Sequence, residues 1–284
     1  MNKSSMKPAK DVVQHALVLQ EAAKKRSELK QVDVDAGKAL STQMTLFPND
    51  VRVIPNHLAK SPLFAPVRPG QRKWREKELL ASPNGFTLHV TGYQLDQADC
   101  DVFMQFIHEA QGLTLGEPID LNRADFLRRI GRDNGQAQYL WLSSVFTRLG
   151  GVRILYENTD ETVDVALVTK IKINKKINQF QASLDPDIIK MFSGNVYTYV
   201  DWEKRKLIEK RVDLSKWLQN FICSNERGMQ RNSIENLRSW SGQSAPIRKF
   251  REALAEALTE LERVGIISGQ SFYDENSKVR WNRL

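Results

Sequence analysis

The chain has 284 residues, of which 41% are hydrophobic and 27% are charged, and its net charge is +8. This composition is ordinary for a soluble globular protein with one large or two medium domains. No stretch approaches the roughly 18 apolar residues of a membrane span, and the N-terminus lacks the apolar core of a signal peptide, so we expect a cytoplasmic protein without a membrane partner.

The cysteines and the basic charge indicate which kinds of site and partner the protein has. Cys100 and Cys223 lie far apart and outside any CxxC motif or Cys/His cluster, which indicates neither a disulfide scaffold nor a zinc site. A pI near 9.4 favours a polyanionic partner, although a merely basic soluble protein would have the same value. Where the basic residues lie along the chain distinguishes a protein with a polyanionic partner from a merely basic soluble protein.

Residues 1–55 are predicted to form a flexible N-terminal region. Residues 9–31 have the apolar spacing of one amphipathic helix with a cationic end, whereas residues 32–43 have no period. Within 41-STQMTLFPND-50 lies a compact apolar hook, which consists of Gln43, Met44, Leu46 and Phe47. The hook either packs on its own protein or binds a partner. Further along, 68-RPGQRKWREK-77 is a basic connector.

Residues 56–180 are predicted to contain this connector and then a helix, a second helix, a turn, a third helix and a hairpin. The helices are expected at 99–110, 122–131 and 134–150, and the strands at 151–158 and 162–176. The apolar stripe of the third helix would consist of Ala137, Leu140, Trp141, Val145 and Leu149. This order of elements is that of a winged helix.

The same order recurs in residues 181–284. Helices are expected at 201–225, 231–242 and 246–265, and strands at 265–273 and 277–284. A similar helix-to-strand ending in both copies, 148-RLGGV-152 and 263-RVGI-266, supports the repeat. The sequence therefore predicts an α+β fold of tandem winged-helix domains with a flexible N-terminal tail.

The third helix of a helix-turn-helix lies in the major groove, so the face opposite its apolar stripe can reach DNA. On the first copy, the candidate DNA-binding residues are Arg132, Asn134, Gln136, Gln138, Tyr139, Ser143 and Arg148, with Lys170, Lys172, Lys175 and Lys176 in the wing. On the second copy, they are Ser244, Arg248, Lys249 and Arg251, with Lys278 and Arg280 in the wing. Amides can pair with adenine, and arginine can read guanine or bind phosphate. The alternative is that these side chains form the solvated faces of a basic protein.

The sequence offers little for an enzyme. Asp96, Asp99 and Asp101 could be imagined as metal ligands, but they stand where a helix begins, and acidic residues there favour the helix dipole. The four histidines have no partners at ligand spacing, and there is no GxxxxGK[ST] loop for a nucleotide. We therefore expect no catalytic residue, no metal and no cofactor.

Several motifs resemble one family, the TrfA family of plasmid replication initiators. They are 52-RVIPNHLAKSPLFAPV-67, 116-GEPI-119, Asn134-Gly135, 202-WEKRKL-207 and 244-SAPIRKFREALAEALTEL-261. The resemblance covers about residues 44–284. It implies binding to tandem origin repeats called iterons, opening of AT-rich DNA, and recruitment of host replication factors. Residues 136–141 and 208–223 depart from the family pattern, so the iteron sequence cannot be transferred.

The resemblance also implies a set of partners. They are double-stranded origin DNA, single-stranded AT-rich origin DNA, the host initiator DnaA and the replicative helicase, and a homodimer in equilibrium with the monomer. In addition, Gln43-Met44-Thr45-Leu46-Phe47 matches the Gln-aliphatic-x-Leu-Phe peptide with which bacterial proteins bind the sliding clamp. The alternative function is a tandem winged-helix transcriptional repressor, which would have the same domains but no need of a clamp peptide.

Overall fold

The computed structural model describes residues 46–284, apart from residues 84–86, 115, 158–161, 175–178 and 196. Helices and strands are mixed along this part of the chain, so the protein has an α and β fold. The helix expected in residues 9–31 lies outside the described residues, and so do Gln43, Met44, Lys175 and Lys176. None of the helices that the structure describes is long and apolar enough to cross a membrane.

The first part of the described chain combines antiparallel sheets with two longer helices. Its helices are α1 (Asn56–Ala59), α2 (Gln97–Glu109), α3 (Arg123–Arg129) and α4 (Gln136–Gly150). Its strands are β1 (Val51–Pro55), β2 (Trp74–Leu79), β3 (Thr87–Tyr93), β4 (Ile119–Leu121), β5 (Arg153–Glu157), β6 (Thr162–Ala166), β7 (Val168–Asn174), β8 (Gln179–Leu184) and β9 (Tyr197–Asp201). The strands join in the orders β2-β3-β5-β6, β4-β8-β7 and β1-β9.

About half of the residues in the second part lie in helices. The helices are α5 (Trp202–Lys206), α6 (Val212–Cys223), α7 (Ile234–Trp240) and α8 (Ile247–Arg263). The strands β10 (Gly228–Ser233), β11 (Ile267–Tyr273) and β12 (Lys278–Arg283) form one antiparallel sheet in the order β10-β12-β11. The central strand, β12, comes last in the chain and places Val279 and Trp281 in the interior.

Two hydrophobic cores lie within one compact unit that spans residues 42–284. The first core contains buried residues from Phe47 to Trp202, and the second contains buried residues from Ile208 to Trp281. The division therefore falls after Trp202, later than the boundary predicted at residue 180. The physical reason is strand pairing, because β8 completes the sheet with β4 and β7, and β9 pairs with β1 near the start of the described chain.

The strand predicted over residues 162–176 is interrupted at Leu167, which is buried. Its two halves, β6 and β7, belong to different sheets, with β6 beside β5 and β7 beside β8. The backbone N–H of Ala166 donates to the Asp185 carboxylate at 3.0 Å, and this contact holds the chain where it passes from one sheet to the other. The prediction of one continuous wing strand was wrong for this reason.

The helix predicted over residues 201–225 is likewise two helices, α5 and α6. Arg211 lies between them in a left-handed conformation, with φ 45°. The buried carboxylate of Glu260 accepts from the backbone N–H groups of Glu209 and Lys210, at 2.6 and 3.2 Å. A distant acid on α8 thus satisfies backbone donors that a continuous helix would have paired locally.

Candidate nucleic-acid interface

Helices α7 and α8 follow each other across a short turn, and α8 has a basic first segment. The apolar spacing of α8 buries one stripe in the second core, made by Phe250, Leu254, Ala257, Leu258 and Leu261. Ser244, Arg248 and Lys249 are exposed at the beginning of this helix. The Arg248 side chain is 89% exposed and its only carboxylate partner in the described chain, Glu252 at 3.3 Å, lies on the same helix. This end of α8 can therefore meet an anion without breaking the fold.

Arg251 is half-buried and has a different position from Arg248 and Lys249. Its guanidinium carbon lies 5.4 Å from the centre of the Phe272 ring on β11. The contact ties the helix to the adjoining hairpin. Arg251 remains a candidate for DNA, but the structure also gives it a packing role.

The hairpin of β11 and β12 places its cations on the solvent side. Val279 and Trp281 are buried, so Lys278 and Arg280 alternate onto the exposed face. Lys278 pairs with Asp274 at 3.1 Å, and Arg280 Nε donates to Ser271 Oγ at 2.7 Å. Both cations are thus held in position on the exposed face of this sheet.

The predicted apolar stripe of α4 is only partly confirmed. Val145 and Leu149 are buried as predicted, but Ala137 and Leu140 are exposed. The residues that enter the core are Leu142, Val145, Phe146 and Leu149, whereas Leu140 is 62% exposed. Phe146 packs edge-on against Phe106 and tilted against Phe126 and Phe180, and this aromatic group sets the rotation of the helix. A three-four spacing fits both stripes, so the pattern of α4 alone does not choose between them.

The rotation changes the role of several candidate residues on α4. The guanidinium of Arg132 lies 3.6 Å from the centre of the Trp141 ring and donates to Gln138 Oε1 at 3.2 Å. Burial lowers the pKa of Arg132. Tyr139 packs against the first core, and Ser143 Oγ donates to the Tyr139 carbonyl oxygen at 2.9 Å. By contrast, Asn134 and Gln136 are exposed. These two are the amides that remain open to a ligand.

Arg148 was predicted to contact DNA, but the structure places it in an internal ion pair. Its guanidinium donates to the buried carboxylate of Asp99, with Nη2 to Oδ1 at 2.7 Å and Nε to Oδ1 at 3.2 Å. Asp99 also forms a capping box with Asp96 at the start of α2. The expected role of these acids at a helix start is confirmed. Arg148 compensates the charge of Asp99, and Arg72 pairs with both Asp96 and Asp99.

The two lysines of the first predicted wing that the structure describes lie on β7. Lys170 and Lys172 are exposed, but Ile171 and Ile173 are exposed as well, so this strand has no clear apolar side. The strand pairs with β8 and is not part of the β5–β6 hairpin. Both lysines therefore remain candidates on a strand outside the hairpin in which they were expected.

The two described residues of the apolar hook have opposite environments. Leu46 is 75% exposed, whereas Phe47 is 7% exposed and packs edge-on against Tyr197 and Tyr199 at 5.3 and 6.1 Å. The Phe47 backbone N–H donates to Gln111 Oε1 at 2.9 Å. Of the two alternatives for the hook, packing on its own protein holds for Phe47, because its ring completes the first core at β9. Gly112, next to this contact, has φ 72° and lies beside Leu46.

Comparison with known proteins identifies the family. The sequence model described as TrfA protein matches residues 12–280. The chain belongs to the TrfA family. The plasmid replication initiator protein TrfA of Escherichia coli is 25% identical over 266 residues, which cover 87% of this chain and 68% of that protein.

Solved structures resemble this TrfA-family chain at low sequence identity. Domains 2 and 3 of RctB align with a TM-score of 0.51 and 10% identity, and the alignment covers 81% of this chain and 98% of that one. The Pi initiator protein, solved in complex with iteron DNA, aligns with a TM-score of 0.48 and 14% identity over 64% of this chain and 90% of that one. The likeness to RctB shows a related fold.

Sequence reasoning missed some cations of this TrfA-family protein. Arg231 was assigned to a helix but lies on β10, directly opposite Arg280 in the strand register. Arg68 and Lys73 were seen only as part of a connector, yet they line a cleft beside α8. Their charge was visible in the sequence, but their location depends on contacts between distant segments. In the described part of the chain, no group of three or more His, Cys, Asp or Glu residues could hold a metal ion.

Proposed function

We propose that this chain is a plasmid replication initiator that binds origin repeats, promotes opening of the origin and recruits host replication factors in the bacterial cytoplasm. The observation that carries the proposal is the family match over residues 12–280, together with the E. coli relative, which is itself named a plasmid replication initiator. The protein would act by binding, without catalysis of its own. The exposed cations at the start of α8 support contact with DNA phosphates.

We infer that both parts of the chain are winged helices. In the second part, α6, β10, α7, α8, β11 and β12 follow the order of helix, strand, helix, helix and hairpin. In the first part, α2, β4, α3, α4, β5 and β6 follow the same order. The support is this repeated order, with a helix-turn-helix in each part positioned to present one helix to a groove.

The test of this proposal is replication and binding with matched DNA. A plasmid that carries the origin repeats should replicate in a bacterial host only when the chain is supplied. The purified protein should bind duplex repeats more tightly than scrambled duplex of the same length, measured by fluorescence anisotropy at fixed salt. A protein with no preference for the repeats would contradict the proposal.

The alternative function is transcriptional repression. A repressor would bind sites near its own promoter and silence a reporter gene, yet it would not support replication of the origin plasmid. Both assays can be run with the same purified and expressed chain. Silencing without replication would favour the repressor, whereas replication with or without silencing favours the initiator.

We further propose that residues 43–47 bind the sliding clamp. DnaA, the replicative helicase and melted origin DNA are proposed as additional partners, and the protein is proposed to form a dimer that dissociates to a monomer. In the clamp complex, Leu46 and Phe47 would fill an apolar cleft, so Phe47 has to leave its position beside Tyr197 and Tyr199. The exposed Leu46 is already available. Clamp binding would therefore cost the free energy that Phe47 gains from burial in the first core.

The two positions of the hook permit a test that separates clamp binding from stability. Leu46→Ala should leave the Tm unchanged, because the side chain is exposed, but should weaken capture of purified clamp. Phe47→Ala should lower both the Tm and the capture of clamp, with a loss of about 3 kcal/mol in the free energy of unfolding, as for other buried phenylalanines. If Leu46→Ala captures clamp as well as the wild-type chain does, the peptide is not the clamp ligand.

A further inference from the structure

A cleft of about 780 Å³ lies between the basic connector and the start of α8. One wall is formed by residues of the connector, including Arg68 and Lys73. The facing wall is formed by the turn before α8 and by Lys249 on its first turn. The cleft thus unites cations from the first and the second parts of the chain.

The two walls are held together by close packing and by a hydrogen bond. Gln243 Nε2, in the turn before α8, donates to the Pro66 carbonyl oxygen at 2.6 Å. Gly242 has φ 70°, and a Cβ at this position would stand only 2.8 Å from the Pro62 side chain. The connector therefore sits at a fixed place beside α8, because only glycine permits this approach.

The charges in the cleft are unbalanced. Arg68, Lys73 and Lys249 are exposed, and none of these three has an ion-pair partner among the carboxylates that the structure describes. Arg211, which also lines the cleft, is already paired with Glu256 at 2.7 Å.

Asp213 is the acid that lines the cleft. Its burial, together with the charge of Asp101, raises its pKa against the opposing effect of Lys216, Arg68 and Arg72. One half-buried acid does not balance three open cations. An anion in the cleft would relieve their mutual repulsion.

We propose that this cleft binds the phosphate backbone of duplex DNA alongside the groove that receives α8. The inference rests on the proposed DNA-binding function and adds the connector to the interface. When the start of a recognition helix enters a groove, the sugar-phosphate strand at the edge of that groove passes next to the same helix end. Arg68 and Lys73 are placed there, and they contact backbone without reading bases.

The first experiment measures the salt dependence of binding. The double variant Arg68→Gln, Lys73→Gln should bind repeat and scrambled duplex more weakly by a similar factor, because phosphate contacts carry no sequence information. The slope of log K against log salt should fall by about 0.9 for each lost contact, or by nearly two for the double variant. The matched control is Lys77→Gln, which removes an exposed cation of the same connector outside the cleft.

A second experiment locates the DNA without removing charge. Gln71 is exposed and lines the cleft, so Gln71→Cys can carry an iron chelate that cleaves nearby backbone. Cys100 is buried and Cys223 is half-buried. Burial raises the pKa of both thiols, that of Cys100 to about 12, so both should react more slowly with the label than a cysteine at the exposed position 71. Cleavage should fall at one edge of the sites protected by α8, and Lys77→Cys with the same chelate should cleave much less.

The outcomes separate this inference from the proposed function. If the wild-type chain binds no duplex at all, both fail. If the wild-type chain prefers repeats but the double variant keeps the wild-type slope, or the chelate at position 71 cleaves no more than the one at position 77, the cleft is not a phosphate site and the initiator proposal stands. If the double variant loses affinity for repeat DNA but not for scrambled DNA, these side chains read the base sequence, and the assignment to the phosphate backbone is overturned.

Discussion

Asp101 is a buried carboxylate that joins the two cores. Arg205 Nε and Lys216 Nζ both donate to it at 2.5 Å, and the Arg205 side chain is only 1% exposed. The remaining donors of Arg205 reach Gln97 on α2, together with Gln219 and Asn220 on α6. Burial opposes ionisation of Asp101, but the charges of Arg205 and Lys216 outweigh it and lower the pKa of Asp101.

Removal of this carboxylate charge should destabilise the protein strongly. Asp101→Asn leaves the buried Arg205 without its counter-charge, for which we expect a loss of about 3–5 kcal/mol in the free energy of unfolding. Urea denaturation at neutral pH measures the loss. Asp125→Asn is the matched control, because the Asp125–Arg128 pair is exposed and should contribute less than about 1 kcal/mol. Equal effects of the two variants would contradict a structural role for Asp101.

Two histidines predict how stability changes with pH. Burial, together with the charge of Lys60, lowers the pKa of His57 to about 4, and burial with the charge of Arg52 lowers that of His108 to about 4. In the unfolded chain both would titrate near 6.5, so the unfolded state binds more protons below that pH. The contribution of these two histidines to stability should therefore be complete above about pH 6.5 and be lost as the pH drops towards 4.

A neutral substitution tests this prediction. His57→Gln should make the Tm less sensitive to pH between 6.5 and 4, whatever its effect on the Tm at neutral pH. Thermal melts at several pH values measure the difference between the variant and the wild-type chain. If the two melting curves shift in parallel over the whole range, His57 does not contribute to the pH dependence.

At the scale of elements, helix α8 has two distinct surfaces, a basic first segment that is exposed and an apolar stripe that packs in the core. Its apolar residues recur at three- and four-residue intervals, and its basic residues cluster in the first turn and a half. The helix is therefore both the centre of the second core and the carrier of the exposed cations. A substitution at the exposed end should affect DNA binding and leave stability unchanged.

Arg248 and Arg251 should behave differently for this reason. Arg248→Gln should weaken binding to the repeats by about 1–3 kcal/mol if it reads a base, with no change in Tm. Arg251→Gln should also lower the Tm slightly, because it loses the contact with Phe272. Anisotropy titrations and thermal melts of both variants check this, with Arg128→Gln as an exposed control outside the helix. Unchanged repeat binding by Arg248→Gln would place this side chain on a solvent face.

At the scale of the whole molecule, the two parts of the chain are joined by buried polar contacts and not by a free linker. Besides the Asp101 cluster, Trp217 Nε1 on α6 donates to the Ser61 carbonyl oxygen at 3.1 Å. Gln219 Nε2, also on α6, donates to the Asp201 carbonyl oxygen on β9 at 3.1 Å. We therefore expect the two parts of the chain, and with them α4 and α8, to keep a fixed distance from each other.

A fixed distance predicts a strict spacing in the DNA. Two grooves on one face of the duplex lie about 10 base pairs apart, so insertion of about 5 base pairs in the middle of a repeat should turn one groove away. Affinity should then fall to that of a single contact, and insertion of about 10 base pairs should not restore it, because the protein cannot stretch. Footprinting of the three sites checks this. Equal binding to all of them would show that only one helix contacts the DNA.

Some features of this protein were determined by the sequence alone, because their signals are local. The family was recognisable from short motifs, and the family match over residues 12–280 confirms it. The stripe of α8 and the acidic start of α2 follow from residues within a few turns of each other, where spacing and capping act directly. The exposed Arg248 and Lys249 were predicted for the same reason.

Only the tertiary structure decided which distant groups meet. Arg148 lies 49 positions from the Asp99 carboxylate that it pairs with, and Gln243 lies 177 positions from the Pro66 carbonyl that fixes the cleft. Phe47 finds its pocket on β9, and Leu167 divides a strand between two sheets. Local periodicity records which side of an element is apolar, but it does not record the neighbour of a strand or the partner of a charge. The neighbour of a strand and the partner of a charge depend on the tertiary fold, which brings distant segments of the chain together.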